Sequence, residues 1–403
     1  MEQSAPACVR SVVIRFRAAE RLRSDAFRRT EVDHGRDGCG AGPAGATLSP
    51  VCTEAGPADP AALAFAAPRP AEGAAVDPVA LEPVDALTIT VLVDNSFDAL
   101  LVDSPVATRA RLGTGAPQEA PQYVDGTTRT GLVAEHGFSA LVTVTRDGHD
   151  QTLLFDTGVS PEGMATNGRR LGLDPGDVGA VVLSHGHADH TGGFPGLERW
   201  LGRVPSPLVL HPAAFTRRRL APPGGDPFVM PLLDRAALLG DGIELVERRE
   251  PSFLLGGSVL VTGEVDRTTE FERGMAFHEA FLDEAWRPDP WIVDDQALVV
   301  DVRGHGLVVL TGCGHAGAVN IVRHALRLTG ATHLHALLGG LHLTGPGFER
   351  IIEPTVDALV ALAPDVVVPA HCTGWRAQMR LAQELGDAFV PGAVGSRYTF
   401  AAA

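Results

Sequence analysis

The chain has 403 residues, and its 33 basic residues, all of them arginine, stand against 49 acidic residues for a formal net charge of −16. The phosphate backbone of nucleic acids repels such an acidic chain, so we expect no nucleic-acid partner. Hydrophobic residues make up 45% and charged residues 20%, which excludes disorder throughout the chain and allows a large buried core.

Two further features concern the surroundings of the protein. The cysteines are odd in number and lack the spacing of a disulfide framework, which favours a reduced, cytoplasmic setting; they are Cys8, Cys39, Cys52, Cys313 and Cys372. No uninterrupted apolar stretch reaches about 18 residues, so we expect neither a membrane span nor a membrane partner.

The first part of the chain is rich in alanine, glycine and proline and shows little hydrophobic periodicity, above all between residues 35 and 83. Such a composition cannot offset the conformational entropy that is lost on ordering. We therefore predict a mostly disordered N-terminal extension over residues 1–85 and a folded domain over residues 86–403.

The folded domain is predicted to begin with a strand at 87–94, followed by strands at 139–146 and 151–155 that an Asp-Gly turn joins as a hairpin. A helix at 161–171 precedes a short, wholly apolar strand at 179–183, a pattern typical of a strand buried on both faces. Further strands are predicted at 208–211, 258–262, 297–301, 306–310, 336–338 and 366–369, and further helices at 317–328, 347–362 and 375–385. This interleaving predicts an α/β fold with mixed sheets and helices outside them.

Three histidines and an aspartate lie close together directly after the strand 179–183, in the segment Ser184-His185-Gly186-His187-Ala188-Asp189-His190. His185 and His187 can converge on one metal ion from a turn, while Asp189 and His190 can serve a second ion nearby. We set aside a surface loop that is rich in histidine by accident, because the motif is too specific for that interpretation.

This segment resembles the H-x-H-x-D-H signature of the metallo-β-lactamase superfamily. The resemblance implies an αββα sandwich, that is, two mixed β-sheets flanked by helices, with the metal site at one edge between the sheets. It also implies two divalent ions that hold a bridging hydroxide and act as Lewis acids on the leaving or attacked oxygen.

More of the chain resembles one branch of that superfamily, the 7,8-dihydropterin-6-yl-methyl-4-(β-D-ribofuranosyl)aminobenzene 5′-phosphate synthases of methanopterin biosynthesis. The matching segments are residues 93–95, 135–139, 154–158, 263–264, 294–298, 311–317, 339–343 and 369–374. That group usually has proline at or next to Asp266 and phenylalanine in place of Leu341, and both departures concern the expected substrate side.

Histidines after later strands complete the predicted ligand set. His315 follows the predicted strand 306–310 through a tight turn, which favours a metal ligand over a helix cap. His371 follows the strand 366–369, where the superfamily places its last ligand. His342 competes with His371 for that position or faces the substrate. Cys313 is either a ligand in the bridging position or a small buried thiol.

The remaining candidates are carboxylates and their neighbours. Asp156 closes a strand and is predicted to orient a ligand histidine by accepting a hydrogen bond from it. Glu264 is a catalytic candidate together with Asp189 and His190, although a turn carboxylate is an equal interpretation of it. Supporting or substrate-binding roles are weaker hypotheses for Glu135, His136, Asp295 and Gln296. Roles at the surface or in the core are favoured for His34, His149, His211, His278, His305, His324, His333 and His335.

We therefore predict one αββα domain with a pocket-shaping insertion at about 200–295. It should bind two divalent metal ions, with zinc as the first choice and manganese, iron or magnesium as alternatives. The favoured function is a metallohydrolase-type enzyme acting on a phosphorylated or pterin-like small molecule. The alternatives are a synthase-type transferase that releases pyrophosphate, and a metal-dependent sensor or binding protein without turnover. Homo-oligomers are left open.

Overall fold

The computed structural model describes Val12–Val13 and residues 78–205, 207–345 and 347–403. The rest of the predicted extension, residues 1–11 and 14–77, lies outside the described residues. Residues 78–85 pack against the domain instead of standing apart from it. The side chain of Val84 is fully buried, and the Val79 backbone N–H donates a hydrogen bond of 2.7 Å to the Leu328 carbonyl. The packed domain therefore begins before residue 86.

Strands dominate the described part of the chain. In chain order they are β1 (Val12–Val13), β2 (Ala86–Val93), β3 (Ala107–Thr108), β4 (Pro117–Glu119), β5 (Thr127–Arg129), β6 (Ser139–Arg146), β7 (His149–Phe155), β8 (Val178–Val182), β9 (Leu208–Leu210), β10 (Arg218–Leu220), β11 (Phe228–Val229), β12 (Leu245–Glu247), β13 (Ser252–Leu254), β14 (Val259–Val261), β15 (His278–Leu282), β16 (Ala285–Pro288), β17 (Ala297–Val302), β18 (Gly306–Thr311), β19 (Leu334–Gly339), β20 (Val366–Pro369) and β21 (Arg397–Ala401).

The helices of the described residues are α1 (Gly163–Arg170), α2 (Ala188–Thr191), α3 (Phe194–Leu201), α4 (Arg235–Gly240), α5 (Ala318–Thr329), α6 (Ile352–Leu362) and α7 (Trp375–Leu385). Among the described residues, none of these helices combines the length and the apolar character needed to cross a lipid bilayer. The predicted helix 347–362 begins later than expected, at Ile352, because a 3-10 turn at Glu349–Ile351 precedes it.

Two large mixed sheets form the domain. The first has the strand order β12-β9-β8-β7-β6-β2-β21-β3, and the second has the order β1-β13-β14-β17-β18-β19-β20. Their inner faces meet: Ile89 of β2, Leu310 of β18 and Val368 of β20 line one small internal cavity. Helices α1 and α3 pack on the outside of the first sheet, and α5, α6 and α7 pack on the second. The predicted αββα sandwich is confirmed.

The predicted hairpin is also present. Strands β6 and β7 are antiparallel, and Arg146 pairs with His149 across the turn. The two turn residues, Asp147 and Gly148, both have a positive φ, 52° and 76°, which a tight two-residue hairpin turn requires. Aspartate and glycine adopt this conformation at low cost, so the local sequence determines where the chain reverses.

The predicted insertion is not a separate body over its whole length. Within about 200–295, β9 and β12 extend the first large sheet, whereas β13 and β14 extend the second. The part that leaves both sheets is a four-stranded sheet of order β11-β10-β15-β16, which we call the small sheet. These strands have two to five residues each, too few for a periodic pattern to be recognised in the sequence.

We expect residues 78–85 to stabilise the domain, because Val79 and Val84 bury their side chains against it. A chain deleted through residue 85 should unfold with a free energy lower by about 2–4 kcal/mol than a chain deleted through residue 77. Urea unfolding followed by tryptophan fluorescence measures the difference. Equal values for the two deletions would show that this segment contributes nothing.

Candidate metal centre

The site lies where several strands end at one edge of the sandwich. Strand β8 of the first sheet leads directly into the segment 184–190. Strands β18, β19 and β20 of the second sheet are parallel, so their carboxyl ends meet at the same edge. Cys313 and His315 follow β18, His342 follows β19, and His371 follows β20. Side chains that are far apart in the sequence are brought together in this way.

The first group of donor atoms consists of three buried histidines, His185, His187 and His315. One ring nitrogen of each lies within 4.8 Å of the others. Burial is the main cause that holds the pKa of His185 and His315 well below the usual value, and the neighbouring histidines lower it further. The same two causes lower the pKa of His187 to about 3. The rings are therefore neutral at physiological pH and offer nitrogen lone pairs, the form that binds divalent metals.

The second group combines Asp189, His190, His371 and Cys313. Asp189 Oδ2 lies 3.5 Å from His190 Nε2 and 3.9 Å from His371 Nε2, and Cys313 Sγ lies 3.6 Å from His371 Nε2. Burial alone would raise the pKa of Asp189, but the nearby His190 and His371 hold it well below its usual range. The group therefore presents a carboxylate and two imidazoles around one point.

Cys313 and His342 lie at the junction of these groups. Cys313 belongs to the second group and also to a third, with His315 and His342. Its Sγ is 3.2 Å from His342 Nδ1. The backbone of His342 has a φ of 44°, a left-handed conformation that costs energy for a residue other than glycine. Of the two histidines that the sequence did not separate, His371 thus joins the carboxylate group and His342 lies beside it.

Asp156 organises two of the candidate ligands from behind. Its Oδ2 accepts hydrogen bonds of 2.7 Å from His190 Nδ1 and from Ser184 Oγ. Because the Ser184 hydroxyl donates to Asp156, it accepts from His185 Nδ1 at 2.9 Å. Both histidines then carry a proton on Nδ1, and the neutral ring of His185 has its lone pair on Nε2. The carboxylates of Asp189 and Asp156 outweigh the effect of burial and hold the pKa of His190 well above its usual value, so His190 would release its Nε2 proton on binding a metal ion.

The segment 294–296 braces both loops that carry the candidate ligands, a role that sequence analysis proposed only weakly and only for Asp295 and Gln296. Asp294 Oδ2 accepts a hydrogen bond of 2.9 Å from the Gly186 N–H, and Asp295 Oδ2 accepts one of 2.7 Å from the Ala316 N–H. Gln296 donates from its side chain to the Leu183 carbonyl at 2.8 Å. These three consecutive side chains thus fix the end of β8, the segment 184–190 and the loop after β18 relative to one another.

The small sheet contributes two residues that sequence analysis missed. Arg218 of β10 is buried and donates to both carboxylate oxygens of Asp294, at 2.9 Å from its NH1 to Oδ2 and 2.5 Å from its NH2 to Oδ1. His278 of β15 is also buried, and its Nε2 lies 3.1 Å from His187 Nε2. Nothing in the spacing of His278 pointed to the site, since only the fold of the small sheet brings it there.

The other sequence candidates have their own partners. Glu264 accepts a hydrogen bond from Arg249 at 2.8 Å and contacts His211, and its catalytic role stays a prediction. Glu135 accepts hydrogen bonds from Ser160 in the loop between β7 and α1. His136 is an exposed neighbour of the second group, with Nε2 at 3.8 Å from Asp189.

A further group of possible ligands lies outside this edge. His333 Nε2 and His335 Nδ1 lie 2.8 and 2.7 Å from Asp365 Oδ2. His333 directly precedes β19, His335 lies near the start of β19, and Asp365 directly precedes β20. This is the opposite end of the strands whose carboxyl ends carry the site. The pairing satisfies these side chains, which agrees with the expectation of a surface or core role.

The donor set fits divalent metal ions. In the described part of the chain, His185 Nε2, His190 Nε2, His371 Nδ1 and both ring nitrogens of His315 are buried without a hydrogen-bond partner. An unsatisfied buried polar atom costs about 1–3 kcal/mol, so this concentration requires a ligand to explain it. Imidazole, carboxylate and thiol donors in this combination suit zinc first and iron or manganese next.

Comparison with known proteins agrees with the fold. Residues 134–371 match the family model of the metallo-beta-lactamase superfamily, and this chain belongs to that superfamily. A solved metal-dependent hydrolase of the β-lactamase superfamily is 25% identical and superposes with a TM-score of 0.57, over 78% of this chain and 99% of that one.

Two relatives from Methanocaldococcus jannaschii extend the comparison. A 7,8-dihydropterin-6-methyl-4-(β-D-ribofuranosyl)-aminobenzene-5′-phosphate synthase is 29% identical over 262 residues, 64% of this chain and 87% of that protein. An uncharacterised protein is 29% identical over 277 residues, 68% of this chain and 96% of that protein. The chain therefore spans most of the length of both relatives.

We expect Asp294→Asn to lower the free energy of unfolding by up to about 3–5 kcal/mol, because it removes the carboxylate that binds both ends of the buried Arg218 guanidinium and leaves Asp289 as its remaining counter-ion. Burial would raise the pKa of Asp294, but Arg218 holds it well below the usual value. The contribution of the pair is therefore fully present above the ordinary aspartate pKa, about 3.9, and is lost as the pH falls below it.

Urea unfolding of the metal-free protein between about pH 6 and about pH 3 measures this effect. The variant should lose less stability than the wild type over the acid part of that range. Glu353→Gln is the matched control, because Glu353 pairs with Arg380 at 2.8 Å on the exposed surface and should contribute little. Similar losses for both variants would contradict the bracing role of Asp294.

Proposed function

We propose that this protein is a metal-dependent enzyme that acts on a phosphorylated, pterin-like small molecule, and that it transfers a group to a second substrate. The observation that carries the proposal is a cleft that opens directly onto the donor groups. Its walls combine aromatic rings and arginines with two of the histidines; they include Phe271, Arg273, His315, His342, Phe348 and Arg350.

The chemistry of the side chains that line the cleft suits a flat, anionic ligand. Phe348 and Phe271 offer ring faces or edges against which a heteroaromatic ring can stack. Arg273 and Arg350 supply positive charge for phosphate oxygens in a chain that has no lysine. The ring centroid of His342 lies 4.3 Å from that of Phe348 and 4.2 Å from that of His315, so His342 connects the cleft to the donor groups.

We assign the metal positions by donor group. His185, His187 and His315 would hold one ion, and Asp189, His190 and His371 would hold the second, with Cys313 between them. When bound, the ions would supply Lewis-acid stabilisation of negative charge on oxygen and would lower the pKa of a water molecule. Asp156 and Ser184 keep the ligand nitrogens oriented, and the arginines of the cleft hold the anionic end of the substrate.

The transfer reaction is favoured because the related synthase from Methanocaldococcus jannaschii matches over most of its length. In a reaction of that type, the bond between a dihydropterin methyl carbon and pyrophosphate breaks, and an aromatic carbon or nitrogen of the second substrate forms the new bond. Hydrolysis of a phosphoester or lactone is the second candidate, favoured by the structural similarity to a metal-dependent hydrolase. Both reactions need stabilisation of a departing oxyanion.

The experiment uses purified full-length protein of known metal content. It is incubated with a dihydropterin methyl diphosphate, with and without a ribofuranosylaminobenzene phosphate, and separately with bis-p-nitrophenyl phosphate. Release of pyrophosphate that needs both substrates supports transfer, whereas cleavage of the ester alone supports hydrolysis. Absence of turnover in protein that holds two metal ions contradicts the proposal and favours a sensor or binding protein.

We expect His187→Ala and Asp189→Ala each to lower the bound metal, since each removes a donor from a different group. Elemental analysis of the purified variants should show loss of up to one ion per chain. Turnover of the substrate that the wild-type protein converts should fall by at least about a hundredfold. His333→Ala is the control, because His333 lies at the opposite end of the sheet. Unchanged metal content in both site variants would contradict the assignment.

A further inference from the structure

His278 contacts the three-histidine group from the small sheet. It is the first residue of β15 and is only 2% exposed. Its ring centroid lies 5.2 Å from that of His187. None of the groups of donor atoms found among the described residues includes His278, so the geometry does not favour a metal ligand. A buried histidine in direct contact with a candidate ligand needs another explanation.

The hydrogen bonds of His278 determine which of its nitrogens carries the proton. Its Nδ1 lies 2.8 Å from the carbonyl oxygen of Asp289. A carbonyl oxygen only accepts hydrogen bonds, so Nδ1 must be the protonated nitrogen. A neutral imidazole has one proton and one lone pair, so the lone pair is on Nε2, which can only accept.

The same reasoning extends to His187. The Nε2 atoms of His187 and His278 are 3.1 Å apart, and one of the two must donate. Since His278 Nε2 accepts, His187 Nε2 carries the proton and donates it to this contact. The lone pair of the neutral His187 ring is then on Nδ1, which is the nitrogen left to bind a metal ion.

We propose that His278 is a positioning residue that fixes the tautomer of His187 and thereby selects Nδ1 as its metal-binding nitrogen. This inference rests on the metal site proposed above. His185 and His190 receive their tautomer from Ser184 and Asp156, whose oxygens accept the Nδ1 proton of each ring. His187 has the opposite orientation, and the small sheet supplies the acceptor that it needs.

The surroundings of His278 hold this relay in place. Arg218 donates to the Asp289 side chain from Nε at 3.1 Å, and it also pairs with Asp294, which accepts from the Gly186 N–H. Strands β10 and β15 are paired, with Leu220 opposite His278. The residue that presents the carbonyl to His278 is therefore tied to the loop that carries His187.

The test compares two substitutions. His278→Gln keeps an amide oxygen that can accept from His187 Nε2, whereas His278→Phe fills the space with a ring that cannot accept. We expect the affinity of the three-histidine group for zinc, measured by competition with a chromophoric chelator, to fall about 10–100-fold in His278→Phe. His278→Gln should stay close to the wild type. Thermal unfolding of the metal-free variants reports whether both still fold.

A second readout needs no metal. Nitrogen-15 NMR of the imidazoles in the metal-free wild-type protein distinguishes a protonated nitrogen from one with a lone pair, and His187→Ala assigns the signals. We expect the lone-pair signal at His187 Nδ1 in the wild type and in His278→Gln, and a mixture of tautomers in His278→Phe. A folded His278→Phe with wild-type zinc affinity, or a proton on His187 Nδ1 in the wild type, would overturn the inference. Failure of the wild type to bind zinc would instead refute the proposed metal site.

Discussion

The hydrogen bonds behind the histidine rings are the interactions on which the site depends. A neutral imidazole has one proton and one lone pair, so a ring can bind a metal ion only if its proton is held on the other side. Asp156 and Ser184 do this for His190 and His185. The Nε2 atoms of both rings are buried without hydrogen-bond partners in the described part of the chain. That arrangement is costly in a folded protein unless a cation occupies the space.

Because of this cost, many of the surrounding hydrogen bonds hold the loops of the site in place. Asp294, Asp295 and Gln296 bind three different backbone segments, and the buried Arg218 compensates the charge of Asp294. Close approach of the two sheets adds a further constraint. A side chain at Gly312 would meet Ser184 Oγ at 2.0 Å, so only glycine allows the loop after β18 to reach the Asp156 network.

Asp156 and His342 have strained backbone conformations that bring their side chains into the site. Both residues have a left-handed backbone conformation, with φ of 57° and 44°. Such conformations cost about 1–3 kcal/mol in residues other than glycine and persist where surrounding contacts determine them. Asp156 turns its carboxylate beneath His190, and His342 turns its ring between the donor groups and the cleft. Members of a large superfamily share the fold while their activities differ, so under the proposed function the walls of this cleft would select the substrate.

The small sheet shows how a region with weak sequence signals can determine function. Its strands are short, and they alternate too little for their period to be recognised. Yet Arg218 and His278 lie next to the segment 184–190 only because β10 and β15 pair with each other. Sequence analysis gave His278 a surface or core role, since spacing along the chain contains no information about contacts made across an inserted sheet.

The sequence by itself determined the class of fold, the hairpin at Asp147-Gly148, most of the core strands, and the clustering of His185, His187, Asp189 and His190. These features depend on local physics: apolar periodicity, turn conformations and ligand spacing within one loop. Only the tertiary structure placed His371 with Asp189 and His190, with His342 beside them, paired Glu264 with Arg249 and His211, and added His278 and Arg218. Those outcomes depend on where strands end in space and which side chains meet there, and residues far apart in the chain acquire that relationship only when the two sheets and the small sheet pack together.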